Sequence, residues 1–324
     1  MWRRNFIAGL AGTVAFPFAA RTQTPSRIYR LAHLANSSDS EAFTRQITLP
    51  ELARLGFVEG RNLVFDGRVG EPDLLPALMR ELLAGQPDAV VAIGPAIGPA
   101  GAATRTVPLV SFGVDPTELG LAASYARPGG NVTGVVILFK ELDTKRLSIL
   151  LEAVPDRRRV AALLPAWDQA ERDQAERVAA LRKVAAGLGV ELLVFSAAAP
   201  SDYPAAFAAM RAQGAQALII GANPQFQRDG RKLAGLALEA RLPTVCEWAA
   251  MAREGCLIGY GPSRLELRKR MADQIAQIFR GVAPGDIPIE RPTAFEFGLN
   301  LRVAKSLDLV VPSAVLARAD EVIE

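Results

Sequence analysis

Short apolar segments alternate with stretches of helical periodicity along most of the 324-residue chain. A first series of predicted strands comprises residues 27–35, 62–67, 88–94 and 107–113, with predicted helices at 40–55, 72–85 and 97–105. A second series comprises predicted strands at 159–165, 190–196, 215–221, 243–248 and 256–261, with predicted helices at 168–187 and 225–241. Because the strands are apolar on both faces and alternate with helices, they predict parallel sheets covered on both sides.

The segments between and after the two series predict how they are joined. Residues 126–135 are rich in Gly, Pro and Asn and separate the series as a connector. A further helix is predicted at 264–281, before a Pro-rich segment at 282–292, a strand at 294–300 and a short pair of C-terminal helices. The second series does not need this helix, which suits a chain that returns to the first series. We therefore predict an α/β fold of two doubly wound parallel-sheet lobes with a cleft between them.

The N-terminal residues have the layout of a bacterial export signal. Arg3 and Arg4 precede an uncharged apolar run at 6–20, which is too short to span a bilayer. The Arg pair, followed two residues later by a phenylalanine, also resembles the twin-arginine type of signal. A buried N-terminal helix is the alternative, although the segment lacks the polar face of a surface helix. We predict an export signal over residues 1–23, cleaved near residues 20–23.

Charge and cysteine usage indicate in which cellular compartment the protein works. The formal charge of +3 comes from 37 basic and 34 acidic residues, and three of the arginines lie in the predicted signal, which has no acid. The mature chain therefore has 34 residues of each sign (37 − 3 = 34), which argues against a nucleic-acid-binding surface. No Cys precedes position 246, so none near the cleavage region can carry a lipid anchor. We expect a periplasmic protein without an anchor.

Cys246 and Cys256 are the two cysteines, and both lie in predicted strands. A disulfide forms in an oxidising compartment if the two strands are neighbours. Two buried free thiols are the alternative, and we expect the thiols. No CxxC spacing or nearby histidine accompanies them, so we expect no metal site.

Ligands of open α/β sheets bind beyond the carboxyl ends of the strands, beside helix N-termini. In two facing lobes these loops line one cleft. They are predicted at 35–40, 94–98, 113–117, 165–169, 221–226, 247–248 and 260–263. The candidate ligand-binding residues in them are Asn36, Ser37, Ser38, Gly94, Ala96, Asp115, Trp167, Asp168, Asn223, Gln225, Phe226, Glu247, Trp248 and Tyr260.

Each candidate also has a structural interpretation. Ser37 and Ser38 precede a helix and can cap it, and Asp115 before a proline is a common helix start. The aromatic residues can be core packing. The convergence of hydroxyls, amides, acids and aromatic rings on one predicted edge favours a binding role for the set.

The sequence offers little for catalysis. His33 is the only histidine and lies inside a predicted strand, where we expect it to be packed. No GxSxG nucleophile motif, GxGxxG loop or Walker-type GxxxxGK[ST] loop occurs. We expect no catalytic residues and no cofactor.

Four stretches carry a family resemblance: GFVEGRNLVFDGR (56–68), DPTELGLAASYARPGGNVTGV (115–135), CEWAAMAREGCLIGYGPS (246–263) and RPTAFEFGLNLRVAKSLDLVVPSAVLARADEVIE (291–324). They resemble the ABC-transporter substrate-binding proteins of the tryptophan-binding-protein-like family, and the C-terminal stretch is the most specific. The resemblance runs from about Arg27 to Glu324. It implies a type I periplasmic-binding-protein fold, in which two lobes joined by three crossings close around a small solute.

We assign residues 27–134 and 263–292 to the first lobe and residues 135–262 and 293–324 to the second. The chain departs from the family in three places. Pro50 falls where the family has a glycine-containing helix, so we expect that helix to start late or bend. The first loop reads NSSDS, and Cys246 and Cys256 replace residues that are usually Tyr and Gly.

The resemblance implies a receptor that delivers a small solute, an amino acid or an aromatic or carboxylate-bearing compound, to an ABC permease in the inner membrane. We expect a monomer whose hinge lies near 133–136, 262–264 and 292–296. For an amino-acid-like solute, we expect Asp115 to hold the ammonium group. Ser37, Ser38 or amides near Ala96 would then hold a carboxylate, and Trp167, Phe226, Trp248 or Tyr260 would cover an apolar side chain.

No Arg occurs in the predicted cleft loops, which disfavours a dianionic solute. The alternatives are a sugar or nucleoside receptor on the same fold, a solute-sensing subunit of a membrane kinase, and an exported enzyme. We expect no nucleic-acid partner, since the export signal occupies the position where a repressor would need a helix-turn-helix.

Overall fold

Two separate β-sheets organise the chain in a computed structural model, which describes residues 27–166 and 171–324. The predicted export signal and the candidates Trp167 and Asp168 lie outside the described residues. The first sheet has the order β2-β1-β3-β4-β5, and all its neighbouring strands are parallel. Its strands are β1 (Tyr29–Ala35), β2 (Leu63–Val69), β3 (Ala89–Ile93), β4 (Leu109–Gly113) and β5 (Val132–Val136).

The second sheet has the order β12-β11-β10-β9-β8-β6-β7 and is parallel except between β10 and β11. Its strands are β6 (Arg159–Pro165), β7 (Glu191–Ala197), β8 (Ala217–Ile220), β9 (Thr244–Cys246), β10 (Ile258–Pro262), β11 (Phe295–Asn300) and β12 (Glu321–Ile323). Two α/β lobes with parallel sheets are therefore confirmed, with one antiparallel pair in the second.

Helices connect the strands in both lobes. The α-helices are α1 (Ser38–Phe43), α2 (Leu49–Arg54), α3 (Leu75–Ala84), α4 (Ile97–Ala103), α5 (Phe139–Ala153), α6 (Glu171–Gly187), α7 (Tyr203–Ala212), α8 (Pro224–Arg228), α9 (Gly230–Glu239), α10 (Arg264–Phe279), α11 (Leu301–Ser306) and α12 (Ser313–Leu316). Short 3₁₀ turns occupy Pro72–Leu74, Gly94–Ala96, Ala249–Ala252 and Pro284–Asp286. No helix of the described residues combines the length and apolarity needed to cross a membrane.

The segment predicted only as a connector ends in a strand. Val132–Val136 forms β5 and pairs with β4 in parallel register. A Cβ atom at Gly134 would lie 2.2 Å from the carbonyl oxygen of Ser111, so glycine is required where the two strands approach. The glycine-rich segment that predicts a turn thus also contains a strand in which Gly134 is required. β5 continues past residue 134, and the predicted lobe bounds stay a prediction.

A widened helical turn accommodates Pro50. Residues Thr44–Thr48 form a π-helical turn between α1 and α2, and the amide of Leu49 donates to the carbonyl oxygen of Thr44, five residues back. Pro50 then occupies the first turn of α2, where a missing N–H is tolerated. The expectation of a late start is wrong, because the helical run begins at Ser38, and the irregularity takes the form of a π-turn.

Helix α10 returns the chain to the first lobe, as predicted from a helix that the second series does not need. It packs against β3, β4 and β5, and the Gln274 amide donates to the carbonyl oxygens of Gly134 (2.9 Å) and Pro288 (3.0 Å). The chain passes between the two sheets three times: after β5, after β10, and between α10 and β11.

The two cysteines form a disulfide, so the expectation of free thiols is wrong. Cys246 ends β9 and Cys256 precedes β10, with both residues fully buried and their Cα atoms 6.4 Å apart. Parallel pairing of Val245 with Ile258 brings the two strands together. The residues between the two cysteines form a loop that leaves the sheet after β9 and returns to it at β10. The disulfide joins the two ends of this loop.

Replacing both cysteines by serine is expected to lower the unfolding free energy by about 2–3 kcal/mol, because the short closed loop gains freedom in the unfolded chain. Urea unfolding measures the loss, and wild-type protein reduced before unfolding should match the double variant. Alkylation of two thiols in denatured, unreduced protein would contradict the bond.

Candidate functional site

A cavity of about 290 Å³ opens between the two lobes. Helix α1 and the π-turn line it from the first lobe, while α8 and the segment after β9 line it from the second. The start of α10 completes it. The lining residues are Asp39, Ala42, Phe43, Gln46, Gln227, Arg228, Glu254 and Arg264.

None of these lining residues is among the predicted candidates, which were all taken from loops at strand ends. The lining lies mainly on helices instead. Asp39, Phe43 and Gln46 are spaced by four and three residues, and such positions share one face of a helix. This helical spacing, which begins within the NSSDS segment, is the signal in the sequence that identifies the first-lobe wall of the cavity.

Arg264 lies between two aromatic rings from opposite lobes. Its guanidinium carbon is 4.5 Å from the ring centroid of Phe43 and 5.2 Å from that of Trp248. Both distances are within the range of cation–π attraction. Burial lowers the pKa of Arg264, whereas Glu247 and Glu254 oppose that shift. The group is thus a desolvated cation held between rings and acids.

Glu254 supplies an acid at the cavity wall. Burial raises the pKa of its carboxyl, against the lowering effect of Arg231 and Arg264. A Cβ atom at Gly230 would lie 2.5 Å from Glu254 Oε2, so a side chain there would displace the carboxylate. Gly230, at the start of α9, therefore leaves space for the Glu254 carboxylate.

Glu247 is a second acid, and it is almost fully buried. The backbone amide of Asn223 donates to Glu247 Oε2 (3.2 Å), and the Asn223 side chain caps α8 by accepting from the amides of Gln225 and Phe226. Desolvation raises the pKa of Glu247, although Arg146 acts in the opposite direction. The loops after β8 and β9 are joined through these contacts.

A buried ion cluster fixes the loop that carries Glu247 and Trp248. The Asp143 carboxylate is fully buried and pairs with Arg146 Nη1 (2.8 Å) and with Arg177 Nε. Arg146 also donates from Nη2 to the carbonyl oxygen of Glu247 (3.0 Å) and from Nε to that of Tyr260 (2.8 Å). The cluster therefore holds the residue after β9 and the middle of β10 in place.

Arginines reach the cleft even though the cleft loops contain none. Arg228 and Arg264 line the cavity, and Arg268 lies one helical turn further along α10, with only 4% of its surface exposed. The reason for disfavouring a dianionic solute therefore no longer applies, because these arginine side chains come from helices and not from strand-end loops.

Asp115, predicted to hold an ammonium group, is engaged within its own turn. Its Oδ1 accepts from the Thr117 amide (2.8 Å) and hydroxyl (2.7 Å), and its Oδ2 accepts from the Tyr125 hydroxyl. Arg291 lies over the Tyr125 ring at 4.2 Å. Asp115 does not line the cavity, and its ligand role stays a prediction.

Three candidates of the second lobe make structural contacts. Phe226 is buried and packs edge-on to the ring of Tyr203, which also accepts a hydrogen bond from Gln225 Nε2 (3.0 Å). Tyr260 stacks on Phe295 with ring centroids 5.9 Å apart. None of the three lines the cavity.

The first-lobe candidates surround the ends of β1 and β3. Ser37 is buried and precedes α1 without a side-chain cap bond, while Asn36 is half-buried and Ser38 is exposed. Gly94 and Ala96 lie in the 3₁₀ turn before α4. Their contact with a solute stays a prediction. No group of three or more metal-ligating side chains occurs among the residues that the structure describes.

The chain matches the family model for the ABC transporter substrate binding protein over residues 37–323. The tyrosine-binding protein of Clostridioides difficile (strain R20291) is 22% identical over 269 residues, which cover 80% of this chain and 74% of that protein.

Two solved structures share the fold over 91% of this chain and all of theirs. A conserved domain protein from Vibrio cholerae O1 biovar El Tor aligns with a TM-score of 0.83 and 24% identity. The ABC domain from Streptococcus pneumonia, in complex with L-Trp, aligns with a TM-score of 0.82 and 20% identity.

Two α/β lobes, joined by three crossings around a cavity between them, define a type I solute-binding protein. The chain belongs to the ABC transporter substrate-binding proteins, among their tryptophan-binding-like members. This family comprises receptors for small molecules that work with an ABC permease, and it is not a class of enzymes.

Asp143→Asn is expected to lower the unfolding free energy by about 3–5 kcal/mol, because two buried guanidinium groups lose their carboxylate. Urea unfolding measures the change. The control is Glu152→Gln, which breaks an exposed pair with Arg318 and should cost less than about 1 kcal/mol. Equal losses in the two variants would contradict a special role for the buried cluster.

Glu247→Gln is expected to raise the unfolding free energy at neutral pH. The pKa of Glu247 is raised in the folded state, so wild-type stability increases as pH falls through that pKa and levels off below the unfolded value near 4.5. The gain of the variant should therefore shrink from pH 7 to pH 4. Unfolding curves across this range test it, and a constant difference would contradict the shift.

Proposed function

We propose that this protein is a periplasmic receptor that binds an amino acid with an aromatic or apolar side chain and delivers it to an ABC importer. The observation that carries the proposal is the composition of the cavity. Phe43 lines the cavity together with acids and arginines, and the Trp248 ring lies next to the lining residue Arg264 from the other lobe. A zwitterion with a planar side chain needs these three kinds of group together.

The acids offer a position for an ammonium group. Asp39 and Glu254 line the cavity from opposite lobes, and Glu247 directly precedes Trp248 in the same loop. A charge-assisted hydrogen bond from an ammonium group stabilises a carboxylate that burial has desolvated. These acids are better placed for this role than Asp115.

The aromatic rings offer a surface for the side chain of the solute. Trp248 is buried to 5% exposure and its indole Nε1 has no hydrogen-bond partner among the described residues. A bound solute that accepts from this N–H would satisfy it. The tyrosine-binding relative and the L-Trp complex support an aromatic amino acid, although their identity to this chain is 20–22%.

Closure between the lobes would couple binding to transport. Arg264 bridges Phe43 of the first lobe and Trp248 of the second, so a solute that adds contacts to both sides favours the closed arrangement. The permease would then distinguish closed from open receptor. The export signal, the periplasmic location and the monomeric state belong to this proposal.

L-Tryptophan or L-tyrosine at about 100 times its dissociation constant is expected to add roughly 2.7 kcal/mol to the unfolding free energy. Trp248→Ala should weaken binding at least about tenfold, because it removes a buried aromatic contact. The control is Phe295→Ala, whose partly exposed ring stacks on Tyr260 away from the cavity. Thermal shift and calorimetry provide the measurements.

Two results would contradict the proposal. A stability shift with sugars or nucleosides, and none with amino acids, would show that the solute class is wrong. Chemical conversion of the bound solute would show an enzyme.

A further inference from the structure

Arg268 is a buried cation without an acidic partner. It exposes 4% of its surface, and no ion pair involves it in the part of the chain that the structure describes. Its recorded hydrogen bond runs from Nη1 to the Thr44 hydroxyl (2.8 Å). A guanidinium group has five N–H donors, and a buried charge without a counter-ion is strongly disfavoured. The guanidinium of Arg268 therefore has the charge and the donors to bind an anionic group.

The position of Arg268 is that of a ligand site. Its guanidinium lies 4.2 Å from the ring centroid of Phe112, near the carboxyl end of β4. Ligands of parallel α/β sheets bind beyond such strand ends. Arg264, four residues earlier on the same face of α10, lines the inter-lobe cavity. Arg268 thus lies one helical turn beyond the lining residue Arg264, in contact with Thr44 and Phe112 of the first lobe.

The acids near the cavity stabilise the charge of Arg264 rather than that of Arg268. The charges of Glu247, Glu254 and Asp39 act on Arg264. Burial and the nearby Arg264 lower the pKa of Arg268 to about 9, which leaves the group charged at neutral pH. The two arginines share a helix, and only Arg264 is compensated by the protein itself.

His33 adds an uncharged donor to the same environment. It is fully buried on β1, and both ring nitrogens lack a hydrogen-bond partner among the described residues. Burial first, then the charges of Arg268 and Arg45, lower the pKa of His33 to about 3, so the ring is neutral. A neutral imidazole donates from one nitrogen without adding charge.

We propose that Arg268 binds an anionic group of the solute, its carboxylate, at the first-lobe side of the cleft. This inference rests on the proposed function and deepens it, since it makes the carboxylate a requirement for binding. The carboxylate accepts from the guanidinium at the floor of the cleft, and the ammonium group and side chain extend toward the acids and rings of the cavity. Arg264 remains a bridge between the lobes.

The test compares carboxylates with matched compounds that lack the charge. L-Tryptophan is paired with tryptamine, L-tyrosine with tyramine, and benzoate with benzamide, each titrated by calorimetry into the full-length mature protein. The expected result is that the wild type binds at least one carboxylate and discriminates against its partner. Arg268→Gln should weaken carboxylate binding about thirtyfold or more and abolish the discrimination.

Two further variants separate charge from folding. Arg268→Lys keeps the charge but loses the planar fork, so its affinity should lie between those of wild type and Arg268→Gln. Lys269→Gln removes an equal charge from the exposed side of α10, where Lys269 pairs with Glu266, and should bind like wild type. Without solute, Arg268→Gln should unfold at no lower temperature than wild type, because it removes an uncompensated buried charge.

The outcomes distinguish the two proposals. If the wild type binds an amino acid and Arg268→Gln binds it equally well, the inference is overturned and the receptor function stands. Equal binding of L-tryptophan and tryptamine has the same meaning. If no carboxylate binds while sugars or nucleosides do, the proposed solute class is overturned and this inference with it. A large loss of stability in Arg268→Gln without solute would show a structural role instead.

Discussion

The buried carboxylate of Asp143 is the interaction on which the cleft of this protein depends. It forms ion pairs with Arg146 and Arg177 inside the second lobe, and Arg146 donates to the backbone carbonyls of Glu247 and Tyr260. Ion pairs in protein interiors add little net stability compared with apolar packing. This cluster directs donors to the backbone carbonyls of Glu247 and Tyr260, so its main effect is to fix the position of the backbone there. The loop that presents Glu247 and Trp248 starts from a fixed point.

Other features hold the same loop from different directions. The Cys246–Cys256 disulfide closes its base, and Gly259 and Gly261 let it lie directly against β10. A Cβ atom at either glycine would lie within 2.2 Å of a loop carbonyl oxygen. The loop that carries Glu247 and Trp248 is therefore held within the second lobe by a disulfide, by hydrogen bonds from Arg146 and by close packing on β10.

Charge is distributed unequally along the cleft. Acids lie near Arg264, whereas Arg268 and the neutral His33 lie toward the first sheet and form no ion pair with an acid among the described residues. A solute with both an ammonium and a carboxylate group matches this order in one orientation only. Orientation would then be set by electrostatics, and the choice of side chain by the space around Phe43 and Trp248.

The hydrophobic pattern determines the fold class more reliably than the site. The strand predicted at 159–165 has the same bounds in the structure, because a strand buried on both faces is a continuous apolar run. The predicted helix at 225–241 is instead two helices that meet at Asp229, and β5 is hidden in a turn-rich segment.

Site residues are harder to predict because their roles depend on tertiary contacts. Asn223, Glu247 and Trp248 lie in loops near residues that line the cavity, and their contact with a solute stays a prediction. Asp115 has the right residue type, but Thr117 and Tyr125 occupy its oxygens. Phe43, Arg264 and Arg268 lie on helices, and nothing in a local pattern shows which of two arginines will lack a counter-ion.

The return of α10 to the first lobe has a consequence for how the chain folds. The last strand of the first sheet ends at Val136 and α10 begins at Arg264, so 127 residues (137–263; 263 − 136 = 127) lie between them. During synthesis the first sheet lacks this helix over β3, β4 and β5 until the second lobe has almost emerged. Contacts of such long sequence separation form slowly. The first lobe therefore matures late, and a chain truncated before α10 exposes an apolar sheet face that invites aggregation.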